Sequence, residues 1–116
     1  MTRTFIRLSS FIKAWDAIGL SEDDYQELET MLLKNPQLGP VIEGSGGVRK
    51  VRFAVPGKGK RGGARVIYID VVVEEAIYFL YAYPKSVKDD LTKDEVKALR
   101  KIAEKLKHGK QGEMNG

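Results

Sequence analysis

Apolar positions along this chain follow two spacings, and the switches between them mark out its elements. Thr4 to Leu8 sets Phe5 and Ile6 between basic residues and reads as a first strand. Phe11, Ile12, Trp15 and Ile18 then fall on one side of a helical period, which predicts a short helix that Gly19 can close in the left-handed conformation. Ser21-Glu-Asp-Asp24 has the form of a capping box, and its acids suit the positive end of a helix dipole. Tyr25, Leu28, Met31 and Leu32 carry that second helix forward until Asn35-Pro36 stops it.

After a loop from Leu38 to Gly47 the period becomes two. Val51, Phe53 and Val55 share one strand face, so Lys50 and Arg52 share the other, roughly 6.5–7 Å apart along the strand. Pro56 to Gly63 holds four glycines and three cations and reads as a loop. Arg65 to Val73 is apolar on both parities, Val66 and Tyr68 against Ile67 and Ile69, as expected of a central strand covered on both faces. Glu74-Glu75 marks a tight turn into an aromatic-rich strand from Ala76 to Tyr83, ended by Pro84. Lys85 to Leu91 is a polar connection. Thr92-Lys-Asp-Glu95 is a second capping box, followed by Val96, Leu99, Ile102, Ala103 and Leu106 as the apolar face of a last helix. Gly109 is expected to end that helix, leaving 110–116 as a frayed tail. The order β-α-α-β-β-β-α, its last three strands joined as an antiparallel meander, defines an α+β fold in one domain over 1–116.

Charge changes this picture more than composition does. The 42% hydrophobic and 31% charged residues are those of an ordinary globular protein, and the N-terminus lacks the apolar run of a signal peptide or membrane anchor. A soluble, cytoplasmic protein is the expectation. The net charge of +4 hides an asymmetry, however. The stretch from Gly44 to Ile69 carries seven of the twenty basic residues (Arg49, Lys50, Arg52, Lys58, Lys60, Arg61, Arg65) and no acid, so the remainder of the chain is net negative. Such a concentrated positive field suits a polyanion partner.

Most catalytic inventories fail on these residues. There is no cysteine, and the lone His108 lies in the last helix away from any cluster with metal-ligand spacing. No cofactor is expected. Gly57-Lys-Gly-Lys-Arg-Gly-Gly63 resembles a phosphate loop in composition only, since it lacks the terminal Lys-Ser/Thr and leads into a strand. Acidic pairs at Glu74-Glu75 and Asp89-Asp90 read as solvated charges. What remains is cationic chemistry on a phosphate backbone. Arginines can grip phosphate oxygens with two donors and stabilise a phosphorane, and a lysine crowded by like charges can take a proton. The same residues serve plain nucleic-acid binding equally well.

Three stretches are specific enough to name a family. Leu38-Gly-Pro-Val-Ile-Glu-Gly-Ser-Gly-Gly-Val-Arg-Lys-Val-Arg52, Gly57-Lys-Gly-Lys-Arg-Gly-Gly-Ala-Arg-Val-Ile-Tyr68 and Tyr81-Ala-Tyr-Pro-Lys-Ser-Val-Lys-Asp-Asp-Leu-Thr92 resemble the HigB-like branch of the RelE/ParE toxin superfamily. The resemblance implies a RelE-like fold, an antiparallel sheet of about four strands with helices packed on it. It also implies the toxin of a type II toxin–antitoxin pair, acting on mRNA in the ribosomal A site. There a ribose 2′-hydroxyl attacks the adjacent phosphate without a metal, leaving a cyclic phosphate and a 5′-hydroxyl. The implied partners are the ribosome, mRNA and a cognate helix-turn-helix antitoxin through which the complex reaches operator DNA, with no membrane involved.

Carried over by position, the basic pair of RelE-type toxins falls on Lys50 and Arg52, the arginine opening the next strand on Arg65, and the basic site after the last strand on Lys85. The arginine expected next is Ser86 here, and the later stacking tyrosine is replaced near Leu91 or Thr92. Arg49, Lys58, Lys60, Arg61, Tyr68 and Lys88 are expected to contact RNA or ribosome. Two alternatives belong to other classes: a ParE-like poison of DNA gyrase, whose chains usually lack such a basic hairpin, and a catalytically inactive RNA- or ribosome-binding module.

Overall fold

A computed structural model describes residues 2–54, 63–88 and 90–115, with the side chains of the last helix as far as His108. Its elements follow the expected order: β1 (Thr4–Arg7), α1 (Ser9–Ile18), α2 (Glu22–Lys34), β2 (Arg49–Phe53), β3 (Ala64–Val71), β4 (Ala76–Pro84) and α3 (Lys93–Asn115). Local chemistry sets most of the boundaries. Gly19 closes α1 at φ 89°, where an L side chain would be strained. Ser21 and Asp24 form both halves of a capping box at α2, and Thr92 and Glu95 do so at α3. The turn between β3 and β4 is a short 3₁₀ segment over Val72–Glu74, closed by Glu75 in the left-handed region at φ 52°.

α3 does not end at Gly109 but continues to Asn115. A glycine inside a helix costs only about 1 kcal/mol relative to alanine, so it stops a helix only when the following residues favour leaving it. The predicted strand residue Val55 and the loop from 56 to 62 lie outside the described residues.

The strands order β1-β4-β3-β2. The meander is antiparallel as expected, β2 on β3 and β3 on β4. β1 instead joins β4 in parallel, Thr4 opposite Ala76, so the sheet is mixed rather than wholly antiparallel. Only a tight turn forces antiparallel pairing, and β1 is followed by two helices, a connection long enough for a parallel crossover. A bulge opposite Ile67 and Tyr68 drops Leu80 from the β3–β4 register, and the freed Leu80 carbonyl accepts a hydrogen bond from the Ser10 hydroxyl at 2.6 Å.

Both faces of β3 are covered. On one, Phe11 and Trp15 of α1 and Leu28 and Leu32 of α2 pack on Val51, Phe53, Val66, Tyr68 and Phe79. On the other, Leu99 and Ala103 of α3 pack on Ile67, Ile69, Leu80 and Tyr83. The register sets Lys50 opposite Ile67 and Arg52 opposite Arg65, so these cations share the α3 face but lie beyond its cover.

One buried hydroxyl fastens the rim of that open end. Tyr68 is completely buried, accepts a hydrogen bond from the Gly39 N–H at 3.0 Å and donates one to the Pro36 carbonyl at 2.9 Å. Burial pushes its phenol pKa up, against the smaller opposing effect of the Gly39 bond, so the hydroxyl keeps its proton for Pro36. Replacing Tyr68 by Phe leaves the core volume intact and strips two buried backbone groups of their partner. The expected loss is about 1–3 kcal/mol of stability, measured as a lowered urea midpoint at unchanged m-value.

Candidate functional site

The uncovered end of the α3 face is a groove of about 790 Å³, within the size range of small-molecule and nucleotide sites. Lys50, Arg52, Arg65 and Lys85 all line it. Three chain segments are needed to bring them together. β2 supplies Lys50 and Arg52 from alternate positions, β3 supplies Arg65 directly opposite Arg52, and the turn after β4 supplies Lys85, whose backbone N–H bonds the Gly63 carbonyl at 3.3 Å. A smaller hollow of about 160 Å³, also lined by Arg52, Arg65 and Lys85, reaches Gly63.

Arg65 is the least ordinary of the four. It is only 7% exposed, and among the described residues it forms no ion pair and no hydrogen bond. A structural arginine buried in an apolar strand would be matched by a carboxylate, as Arg3 is by Asp70 at 2.8 Å. The guanidinium cannot shed its charge, so its charge is left for the groove to answer. Directly opposite, Arg52 adds a like charge at a cross-strand distance of roughly 4.5–5.5 Å between Cβ atoms, an arrangement that is unfavourable until an anion enters.

Sequence reasoning missed Asp90. It treats Asp89-Asp90 as solvated linker charge, yet the Asp90 carboxylate accepts a hydrogen bond from Lys50 Nζ at 2.8 Å inside the groove. The hydrogen bond and charge of Lys50, with a smaller contribution from Arg65, hold its carboxyl below the usual aspartate range. Asp90 is 82% exposed, so the pair is an open, salt-screened contact that a stronger anion can displace. The only signal in the sequence was the spacing of Asp90 from Lys85, which a turn can fold back. Asp89 lies outside the described residues.

The remaining expected contacts divide. Tyr68 is in the core, not on the surface, because its parity on β3 faces α1 and α2, so no base can stack on it. Arg49 is half-buried and spends its Nη1 donor on the Gly39 carbonyl at 2.7 Å and the Gln37 carbonyl at 3.3 Å, clamping the rim. Lys88 pairs with Glu95 and sits 5.2 Å from the Tyr83 ring, so it ties the turn to α3 instead of entering the groove. Lys58, Lys60 and Arg61 lie outside the described residues. His108 is exposed, with its Nε2 3.7 Å from Glu104. Among the described residues no group of His, Asp and Glu side chains is placed to hold a metal, and no helix is long and apolar enough to cross a membrane.

These elements make a four-stranded α+β sheet with a groove lined by four cations at one uncovered end. The chain belongs to the RelE toxin family: the family model described as the RelE toxin of the RelE/RelB toxin–antitoxin system matches residues 41–116, which include every groove residue on β2, β3 and the turn after β4. The fold is shared with a mutant of E. coli toxin RelE, in which two arginines are replaced by alanine, in its free state. That structure aligns at a TM-score of 0.56 and 13% identity, over 86% of this chain and 95% of the other.

The Lys50–Asp90 contact has a defined pH response. Because the folded pKa of Asp90 is depressed, the pair is complete above the usual aspartate pKa and is lost as pH falls through the lowered value. A carboxyl-carbon NMR titration of Asp90 should therefore show a midpoint below 3.8, returning to the usual range in Lys50→Ala.

Proposed function

We propose that this chain is a HigB-like toxin of a type II toxin–antitoxin pair, acting as one domain over 1–116, which cleaves mRNA in the ribosomal A site and so stops translation in the cytoplasm. The observation that carries this reading is the convergence of Lys50, Arg52, Arg65 and Lys85 in one groove, where the largely buried Arg65 makes no described ion pair or hydrogen bond and feels the Asp90 carboxylate only at a distance. In the reaction a ribose 2′-oxygen bonds to the adjacent phosphorus while the P–O5′ bond breaks. A proton leaves the 2′-oxygen and another arrives at the 5′-oxygen, giving a cyclic phosphate and a 5′-hydroxyl. Arg65 and Arg52 hold the charge that builds on the non-bridging oxygens, the task a metal ion performs in other nucleases. Lys50, once the phosphate displaces Asp90, and Lys85 flank the reacting group and supply the remaining charge. Lys58, Lys60 and Arg61 add sequence-independent attraction to the RNA backbone.

The partner that restrains such a toxin is a cognate antitoxin with a helix-turn-helix DNA-binding part, covering the basic face or blocking entry to the ribosome. Operator DNA is then reached only through the complex.

Expression without the antitoxin, followed by mapping of mRNA 5′ ends on translated and untranslated transcripts, tests the reading. Cleavage within codons during translation is expected, and Arg65→Ala should lower it about 10²-fold or more while the protein stays folded. Growth arrest with intact mRNA and accumulating DNA breaks would overturn the nuclease in favour of gyrase poisoning. Full cleavage by Arg65→Ala would overturn the assignment of the groove.

A further inference from the structure

The segment after α2, Asn35-Pro-Gln-Leu-Gly-Pro-Val41, is fastened far more tightly than a connecting loop requires. The Gln37 N–H bonds the Asn35 side-chain oxygen at 3.2 Å, and the Leu38 N–H bonds the Asn35 carbonyl at 3.0 Å. Tyr68 and Arg49 hold both backbone groups of Gly39, and the Lys50 N–H bonds the Pro40 carbonyl at 3.1 Å. The fit on β2 is close enough that a Cβ at Gly39 would lie 2.6 Å from the Lys50 carbonyl oxygen. Yet this fixed backbone turns apolar side chains outward. Leu38 is 45% exposed and Pro40 is exposed, and both line the groove that Lys50, Arg52 and Arg65 line with cations.

The groove therefore has one apolar wall held rigid against one cationic wall. A nucleotide has the same division, a flat apolar base on one side of the sugar and a phosphate on the other. We propose that Leu38 and Pro40 form the base-binding wall, receiving the face of the nucleobase whose phosphate lies on Arg65 and Arg52. This rests on the nuclease reading above and supplies the base contact for which no exposed aromatic stands in the groove among the described residues. Neither side chain carries a hydrogen-bond donor or acceptor, so the wall reads the area of a base and not its edge. It favours purines over pyrimidines at that position without telling adenine from guanine. A tightly positioned backbone matters here because an apolar contact made by a loose loop would lose its gain to ordering.

The test uses the purified full chain on translating ribosomes, with mRNAs carrying each of the four nucleotides at the cleavage position. Leu38→Ser removes the apolar contact from an already exposed site, and Leu38→Phe enlarges it. Relative to wild type, Leu38→Ser should lower kcat/KM on purine substrates roughly five- to tenfold and flatten the purine preference, while Leu38→Phe restores or exceeds both. Urea midpoints of all three proteins should coincide, which a merely structural role for Leu38 would not allow. Cleavage by Leu38→Ser at the wild-type rate and preference overturns the base wall and leaves the nuclease standing. A wild-type chain that cleaves no mRNA overturns the nuclease reading, and the base wall with it.

Discussion

Two arginines, Arg52 and Arg65, face each other across neighbouring strands, and much of the molecule follows from what holds them there. Their pairing opposes its own charge, and nothing local to either residue would choose it. The choice is made by the other side of the sheet. Val51, Phe53, Ala64 and Val66 must face α1 and α2, and a slip of one residue would turn that whole set to solvent. Hydrophobic burial summed over a sheet face outweighs one repulsive pair at a partly hydrated end. The core thus holds the two arginines opposite one another against their own repulsion.

The same division explains what could be read from the sequence. Alternation along Lys50 to Phe53 put both β2 cations on one face, and the apolar parity of Val66 to Ile69 marked β3 as a central strand. Both capping boxes were visible because a cap depends on residues a few positions apart. Relations between distant segments were not visible. The pairing of β1 with β4 depends on which sheet edge is free, and the fate of Tyr68 depends on which face of β3 the helices take. Arg49 was counted with the cations by its charge, although its partners, the carbonyls of Gln37 and Gly39, are backbone atoms that no composition reveals.

Asp90 shows the limit most clearly. A carboxylate next to another carboxylate in a polar connection has the sequence of a solvated linker, and by exposure that is what it is. Its importance is only that the turn after β4 sets it on Lys50, so the free protein answers part of its own positive field. Acidic residues are normally read as opposing a phosphate site. Here a single exposed one holds the Lys50 ammonium in place, at a cost that salt and water keep small.

The parallel pairing of β1 with β4 has a consequence in time. Thr4 waits for Ala76 before the first strand has a neighbour, and the groove is not complete until the turn carrying Lys85 and the segment holding Asp90 have folded back on β2. Contacts of such sequence separation form late and slowly compared with the helices. During synthesis, therefore, the α1–α2 hairpin can take shape early while the four cations remain scattered on an unclosed chain. The groove can close only once the chain from Leu38 through Asp90 is available to fold together.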